Sequence, residues 1–192
     1  MLIDNIPEPL GLADFEGLLA SILQDEQLGG WIMAHLESIS PRWLKCLAAY
    51  YPDARVRRAC LIQSGVELGE DTYPNYGTYA LDFYNQPDPP KLLFIGARVA
   101  MGPRVTFVCD TRPNVSRLME LSDVRDRMVK TAPIVVEDDV WIGTGATILP
   151  GVRVGTMSII GAHSLVREDV RPYTVVAGTP ARVIRQLDEP GS

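Results

Sequence analysis

The sequence predicts an all-β solenoid with an N-terminal α-helical cap, and three observations carry that prediction. A large aliphatic residue returns at every sixth position, at Val136, Ile142, Ile148, Val154, Ile160 and Val166. Four residues after each stands a small or β-branched one, namely Val140, Ala146, Val152, Ser158, Ser164 and Val170. Glycine follows the aliphatic directly at Gly143, Gly155 and Gly161. On a helix the sixth neighbour turns to roughly 240°, onto another face, whereas an even spacing keeps a strand's side chains on one face. A unit of six residues is therefore one short strand plus one corner, with glycine marking corners. Three such sides close a triangular coil of about 18 residues whose strands hydrogen-bond to the coils above and below.

Taken in order, residues 1–11 carry two prolines and a glycine and read as an extended arm. From Leu12 to about Gln27 the apolar positions Leu12, Phe15, Leu18, Leu19, Ile22 and Leu23 have helical spacing, and Gly29-Gly30 is expected to stop that helix. Two shorter helices follow, one on the apolar run Trp31 to Leu36 and one opening after Ser40 as cap and Pro41 as first helical residue. These helices, within residues 1–59, form the expected cap. Between Ala54 and Leu68 the pattern shifts towards strand, and Leu68-Gly-Glu-Asp-Thr-Tyr is the first hexad of a solenoid assigned to 60–186.

Asn85-Gln-Pro-Asp-Pro-Pro is a loop, since its prolines bar regular pairing. Ile95, Met101 and Phe107 then restore the period. From Phe107 to Val136 is 29 residues, not a multiple of six, so the chain must leave the coil over residues 109–133. Such excursions from a rigid scaffold commonly carry function. Within it, Leu118 to Met128 is expected to be a short helix. Residues 187–192 are a tail.

The formal charge of −6 leaves no basic field for nucleic acid, and no apolar segment approaches the length of a membrane span. The N-terminus lacks a basic region followed by an apolar run, so a cytoplasmic protein is expected. Three cysteines, Cys46, Cys60 and Cys109, without metal spacing suit buried thiols in a reducing compartment. With only His35 and His163 present, a three-histidine zinc site of the kind found in carbonic anhydrase-type β-helices is not expected. No metal is expected.

The stretches Ile134-Val-Val-Glu-Asp-Asp-Val-Trp-Ile-Gly-Thr-Gly-Ala-Thr-Ile-Leu-Pro-Gly-Val-Arg-Val-Gly, Ile160-Gly-Ala-His-Ser-Leu-Val-Arg-Glu-Asp-Val and Val176-Ala-Gly-Thr-Pro-Ala-Arg-Val-Ile resemble the hexapeptide-repeat acyltransferases, nearest to the maltose acetyltransferase type. The resemblance covers about residues 60–186, most specifically 134–186, and leaves the N-terminal helices outside it. It implies a left-handed parallel β-helix, acetyl-CoA or another acyl-CoA as co-substrate, a small hydroxylated or amino acceptor, and a homotrimer with sites between subunits. The physical argument for association is that flat solenoid sides leave apolar surface to bury.

The same resemblance puts a catalytic histidine where this chain has Arg112, in Asp110-Thr-Arg-Pro. A guanidinium stays protonated and cannot take the acceptor's proton, although it can hold a carboxylate or an oxyanion. Substitute candidates are Asp110, which shares a strand face with Arg112 and would be a weakened base if paired, Asp82 in Thr78-Tyr-Ala-Leu-Asp, and His163 in Ile-Gly-Ala-His-Ser. Asn75 and Tyr76 are candidates for the acceptor side. Gly143, Gly145, Ala146, Gly161 and Ala162 would let a pantetheine arm approach the corners, and Arg167, Arg182 and Arg171 would meet the coenzyme's phosphates. Trp141 is expected to pack on the next coil. Each candidate also has a plain structural reading: a turn, a tight corner, a solvated charge. Besides acyl transfer, two readings stay open: a repurposed β-helix enzyme acting on a biosynthetic intermediate, or a non-catalytic assembly subunit.

Overall fold

A computed structural model of the chain describes residues 26–81, 90–113 and 115–189. The expected N-terminal arm, most of the expected first helix, Asp82 and most of the proline loop lie outside these residues. The chain divides into two compact units between His35 and Leu36. In the first, helix α1 (Glu26–Ala34) carries Gly29 and Gly30 in its interior, where the sequence pattern placed a stop. Glycine inside a helix costs about 1 kcal/mol relative to alanine and does not forbid it. Ile32 of α1 is buried, and His35 stacks on Trp31 with ring centroids 4.5 Å apart.

The second unit opens on helix α2 (Pro41–Tyr50), with Ser40 at the N-cap and Pro41 in the first turn as expected, although the Ser40 hydroxyl makes no capping bond. Helix α3 (Ala54–Gln63) occupies the stretch where the pattern leaned towards strand. The Asp53 carboxylate caps it by accepting from the Arg55 N–H at 2.7 Å, and hydrogen bonds from Arg55 hold that carboxyl below its usual range. Its buried residues Val56, Arg57, Cys60 and Leu61 share one helical face, a period obscured in the sequence because charged Arg57 is among them. Burial pushes the Cys60 thiol up to about 11, so it stays protonated; none of the three cysteines is in a disulfide. No described helix is long and apolar enough to cross a membrane.

From here the chain winds through three parallel sheets in turn. The first coil contributes β1 (Glu67–Leu68) and β2 (Tyr79–Leu81); the second β3 (Leu93–Ile95), β4 (Ala100–Met101) and β5 (Thr106–Val108). The third gives β6 (Ile134–Val136), β7 (Trp141–Ile142) and β8 (Thr147–Ile148); the fourth β9 (Arg153–Val154), β10 (Ile159–Ile160) and β11 (Leu165–Val166). Sheet 1 orders β1-β3-β6-β9, sheet 2 orders β4-β7-β10-β12-β13, and sheet 3 orders β2-β5-β8-β11, where β12 spans Thr174–Gly178 and β13 spans Ala181–Gln186. The sixfold period thus becomes three columns, buried except at the first-coil Leu68: Leu68–Ile95–Val136–Val154, Met101–Ile142–Ile160–Val176, and Ala80–Phe107–Ile148–Val166. The second register is inside as well, with Val140, Ala146, Val152, Ser158, Ser164 and Val170 all buried. The two serines are satisfied there, Ser158 donating to the Arg171 carbonyl at 2.8 Å and Ser164 accepting from the Gly178 N–H at 3.1 Å.

Residues 109–133 leave the coil at the corner between sheets 3 and 1, as the broken period requires. They hold two short pieces instead of one helix, a 3-10 turn at Arg117–Glu120 and a π turn at Val124–Met128, because Leu121 between them is extended (φ −81°, ψ 119°). Trp141, expected to pack on the next coil, points outward from sheet 2 and is 58% exposed. Only its backbone joins the ladder, in register with Ile159.

A solenoid's ends leave unpaired backbone, and here helix residues satisfy it at the first coil. Arg57, 5% exposed, donates from Nε to the Pro74 carbonyl at 3.0 Å and from Nη1 to those of Tyr51 and Pro52 at 2.6 Å each. Arg58 reaches the carbonyls of Thr72 (3.2 Å) and Gly69 (3.1 Å), and the Gly77 N–H donates to Ala49 of α2 at 2.7 Å. At the far end β13 folds back antiparallel on β12. Replacing Arg57 with methionine keeps the bulk but removes the guanidinium from three carbonyls, of which that of Pro52 keeps the Tyr76 hydroxyl. Arg57→Met is therefore expected to lower unfolding free energy by about 2–4 kcal/mol, read as a fall in urea midpoint with unchanged m.

Candidate active site

Each corner of the coil carries residues in the left-handed backbone region, and the corner between sheets 2 and 3 gathers most of the candidates. Its column runs Gly77 (φ 69°), Arg104 (φ 59°), Gly145 (φ 68°) and His163 (φ 55°) through successive coils. A Cβ on Gly145 would stand 2.7 Å from both Cε1 and Nδ1 of His163, so the imidazole lies directly on the glycine of the coil before it. His163 is exposed, with its own N–H donating to the Thr144 carbonyl at 2.8 Å and its carbonyl accepting from the Thr179 hydroxyl at 3.1 Å. It is the imidazole of this unit.

Asn75 and Tyr76 open the same corner. The Asn75 amide donates to the Met101 carbonyl at 3.3 Å and its Oδ1 accepts from the Tyr76 N–H at 2.8 Å. The Tyr76 hydroxyl donates to the Pro52 carbonyl at 3.2 Å, and the Arg57 guanidinium sits 4.3 Å from its ring centroid. Both candidates for acceptor binding thus already tie the first coil to its neighbours, leaving a Tyr76 ring that is half exposed.

The small corner residues divide. Gly143, Gly145 and Gly161 spend their N–H groups on the carbonyls of Ile160, Pro103 and Val176, each at 2.8 Å. The lack of a side chain at Gly143 serves the next coil, since a Cβ there would come within 2.5 Å of the Ala162 nitrogen. Ala162 is exposed at this corner. Ala146, expected beside them, is fully buried: it belongs to the inner register, and its N–H and carbonyl are engaged by Gly143 and Thr106. It can take no part in contacting a ligand's surface.

Asp110 and Arg112 stand elsewhere, at the root of the excursion between sheets 3 and 1. They pair as their shared face suggested, Arg112 Nε lying 3.1 Å from Asp110 Oδ2. The carboxylate also accepts from the Arg112 N–H at 3.2 Å and the Thr131 hydroxyl at 2.8 Å. Arg167, paired with Glu168 at 3.3 Å, follows β11 at the corner between the same two sheets. Arg182 is exposed on β13, with Nη1 donating to the Ala181 carbonyl at 2.8 Å. The sequence candidates therefore form two groups at opposite ends of the sheet 3 strands, about 17 Å apart for some five extended residues. A concavity of about 580 Å³ on the outer face of sheet 1, lined by Ile62, Val66, Leu68, Phe94 and Val135 with the Glu67–Lys91 pair, includes none of them. Arg57 and Arg104 escaped the sequence reading. The signal for Arg104 was present, since Gly102-Pro-Arg-Val repeats Gly96-Ala-Arg-Val six residues on.

Residues 133–168 match the family model described as bacterial transferase hexapeptide (six repeats). This segment is a hexapeptide-repeat domain. It comprises β6 to β11 and so holds Gly143, Gly145, Gly161, Ala162, His163 and Arg167, but not Asp110 or Arg112. Among proteins similar to the chain, the galactoside O-acetyltransferase of Escherichia coli K12 is 32% identical over 126 residues, 66% of this chain and 56% of that protein. The 2,3,4,5-tetrahydropyridine-2,6-dicarboxylate N-acetyltransferase of Brevibacillus brevis is 65% identical over 57 residues, 30% of this chain and 24% of that protein. The chain thus spans about half of the first relative and a quarter of the second. A hexapeptide-repeat acetyltransferase of Vibrio cholerae, solved in complex with acetyl coenzyme A, superposes with a TM-score of 0.50 at 26% identity, over 81% of this chain and 89% of that one.

The hexapeptide corner makes a sharp demand at Gly145, which combines a left-handed backbone with an imidazole on its surface. Gly145→Ala is expected to destabilise by about 1–3 kcal/mol. In a His163→Gly background the contact part of that cost disappears while the backbone part stays. Equal costs in the two backgrounds, measured by chemical denaturation, would show that the ring is not what the glycine accommodates.

Proposed function

We propose that the protein is an acyltransferase moving an acyl group, acetyl in the first instance, from CoA to the hydroxyl or amine of a small molecule. The supporting observation is the hexapeptide coil itself, whose relatives are named acetyltransferases and one of whose structural neighbours was solved with acetyl coenzyme A. The relatives divide between oxygen and nitrogen acceptors, so both acceptor chemistries belong to the proposal. In the reaction the acceptor's lone pair attacks the thioester carbonyl, the carbon–sulfur bond breaks, and the acceptor's proton leaves to a base and finally to the CoA thiolate.

In this reading the coil is left-handed and parallel, the α-helical part caps its first turn, and the protein works as a cytoplasmic homotrimer. Association has a physical motive beyond the buried apolar sides, because one copy separates the His163 corner from the Arg112 corner. A neighbouring copy can bring the second group against the first. His163 is the candidate base, since an imidazole titrates near neutrality. Arg112, held by Asp110, fits an electrostatic role towards a developing oxyanion or an anionic acceptor. Arg167 and Arg182 are the candidates for the coenzyme's phosphates, with Ala162, Gly143 and Gly161 as candidates beside its arm.

One observation favours a second reading. The place where the family resemblance puts a histidine is taken by an arginine in an ion pair, which fits a β-helix turned to a reaction other than acyl transfer. Calorimetric titration with acetyl-CoA separates the two: saturable binding is expected, and no heat from a properly assembled protein would leave the second reading standing. Light scattering is expected to give three times the chain mass at micromolar concentration, and a stable monomer would remove the shared site. Arg112→Ala is expected to lower turnover by about 30- to 1000-fold, equivalent to about 2–4 kcal/mol of transition-state stabilisation. Undiminished turnover would leave His163 to act without it.

A further inference from the structure

The arms by which the excursion leaves and rejoins the coil run antiparallel. The Thr111 N–H donates to the Lys130 carbonyl at 3.1 Å and the Ala132 N–H to the Cys109 carbonyl at 3.2 Å, one bond on either side of the Asp110–Thr131 bridge. Asp110 and Thr131 are therefore a non-hydrogen-bonded pair, the kind in which facing side chains stand nearest, with Cα atoms about 4.5 Å apart. Two residues on, Arg112 returns to the face of Asp110, and the two side chains meet. The backbone thus gathers a hydroxyl, a carboxylate and a guanidinium at the root of the excursion.

The contacts on that carboxylate are unequal. The Thr131 hydroxyl donates to Asp110 Oδ1 at 2.8 Å, whereas the Arg112 N–H reaches the same oxygen at 3.2 Å, and Arg112 Nε reaches Oδ1 at 3.3 Å and Oδ2 at 3.1 Å. An aspartate's terminal torsion is broad and its two oxygens are equivalent, so the donor that holds the group most closely sets its plane. Here that donor stands on the return arm. With Oδ1 tied to Thr131, Oδ2 is left to meet Nε. The Asp110 side chain is 16% exposed, which leaves water little access to replace the hydroxyl. By contrast, the acids of the excursion's pairs Arg117–Glu120, Arg125–Asp126 and Arg127–Asp123 are 67%, 60% and 60% exposed, where an ion pair fixes little.

We propose that Thr131 is a positioning residue for Arg112: its hydroxyl fixes the Asp110 carboxylate and, through it, the direction of the guanidinium. The proposal deepens the acyl-transfer reading and rests on it for the use of that direction, since a guanidinium meets a carboxylate or an oxyanion in its own plane. Its consequence is that the excursion takes part in the site through its root. Displacing the return arm turns Arg112 as well as the arm.

The test follows the Arg112 Nε–H proton by NMR in the full chain, its signal identified by its loss in Arg112→Lys, and compares wild type with Thr131→Val and Thr131→Ser. Valine matches threonine in shape and strand preference, so the arm is kept while the hydroxyl is lost. Exchange of this proton with water is expected to be about tenfold faster in Thr131→Val and close to wild type in Thr131→Ser. The amides of Thr111 and Ala132 report the root itself and are expected to stay protected in both variants. Unchanged Nε–H exchange in Thr131→Val would overturn the proposal, as would equal acceleration in Thr131→Ser or a wild-type proton that exchanges as fast as that of exposed Arg117. Acceleration that comes only together with that of the two amides would overturn it too, because the arm and not the hydroxyl would then be the hold. Calorimetry with acetyl-CoA addresses the reading beneath it: an Arg112 proton that depends on Thr131, in a protein that binds no acetyl-CoA, keeps the positioning and sinks the acyl-transfer role.

Discussion

Every coil of this protein must repeat the one before it at the strand spacing of about 4.8 Å, and the rest of the structure follows from that stacking. A strand of two or three residues has almost no stability alone, so each coil borrows its hydrogen bonds from its neighbours and must match their register. Glycine recurs where the corner turns against the next coil: a Cβ on Gly69 would stand 2.4 Å from the Ala97 nitrogen, and one on Gly102 would stand 2.6 Å from that of Thr144. Where the repeat departs from glycine, at Glu137, the side chain is turned to use, and its carboxylate accepts from the Thr156 N–H of the following coil at 2.8 Å.

The same constraint makes the ends and interruptions of the coil costly. At the first coil, unpaired carbonyls fall to two successive arginines of α3, a use of buried charge that works because each donor finds a backbone oxygen. At the last, β13 turns back and supplies an antiparallel neighbour. The excursion 109–133 leaves at a corner, where no ladder bond need be broken. Its return is stitched by the Asp110–Thr131 bridge and by Thr111, whose hydroxyl accepts from the Lys130 N–H at 2.8 Å.

Corner chemistry is consequently columnar. A side chain at a corner meets the residues directly above and below it, not its neighbours in sequence, so a change of one residue in one coil alters the partner of another some 20 to 40 residues away. At the corner between sheets 1 and 2 the column is charge-paired, and the Arg98 guanidinium holds the Asp139 carboxyl below its usual range. At the corner between sheets 2 and 3 glycines alternate with Arg104 and His163, which leaves both polar groups facing outward. One backbone geometry thus yields a charge-paired column at one edge and an exposed, unpaired one among the described residues at the next.

The sequence by itself determined the coil. Its period of six, the inner identity of Val136 through Val166, the excursion after Phe107 and the pairing of Asp110 with Arg112 follow from parity and spacing along one chain. It misread α3, because the charged Arg57 on its buried face is held by the carbonyls of Tyr51 and Pro52 before the helix and of Pro74 in the first coil, and it set Ala146 at the surface because a small residue reads alike in a corner or a core. It also could not tell that the His163 corner and the Arg112 corner stand at opposite ends of sheet 3, nor that Arg104 faces glycines while Arg98 faces carboxylates. Those facts depend on which residues stack across coils, an offset of 27 or 41 residues set by the lengths of the two interruptions, and only the closed tertiary structure decides that offset.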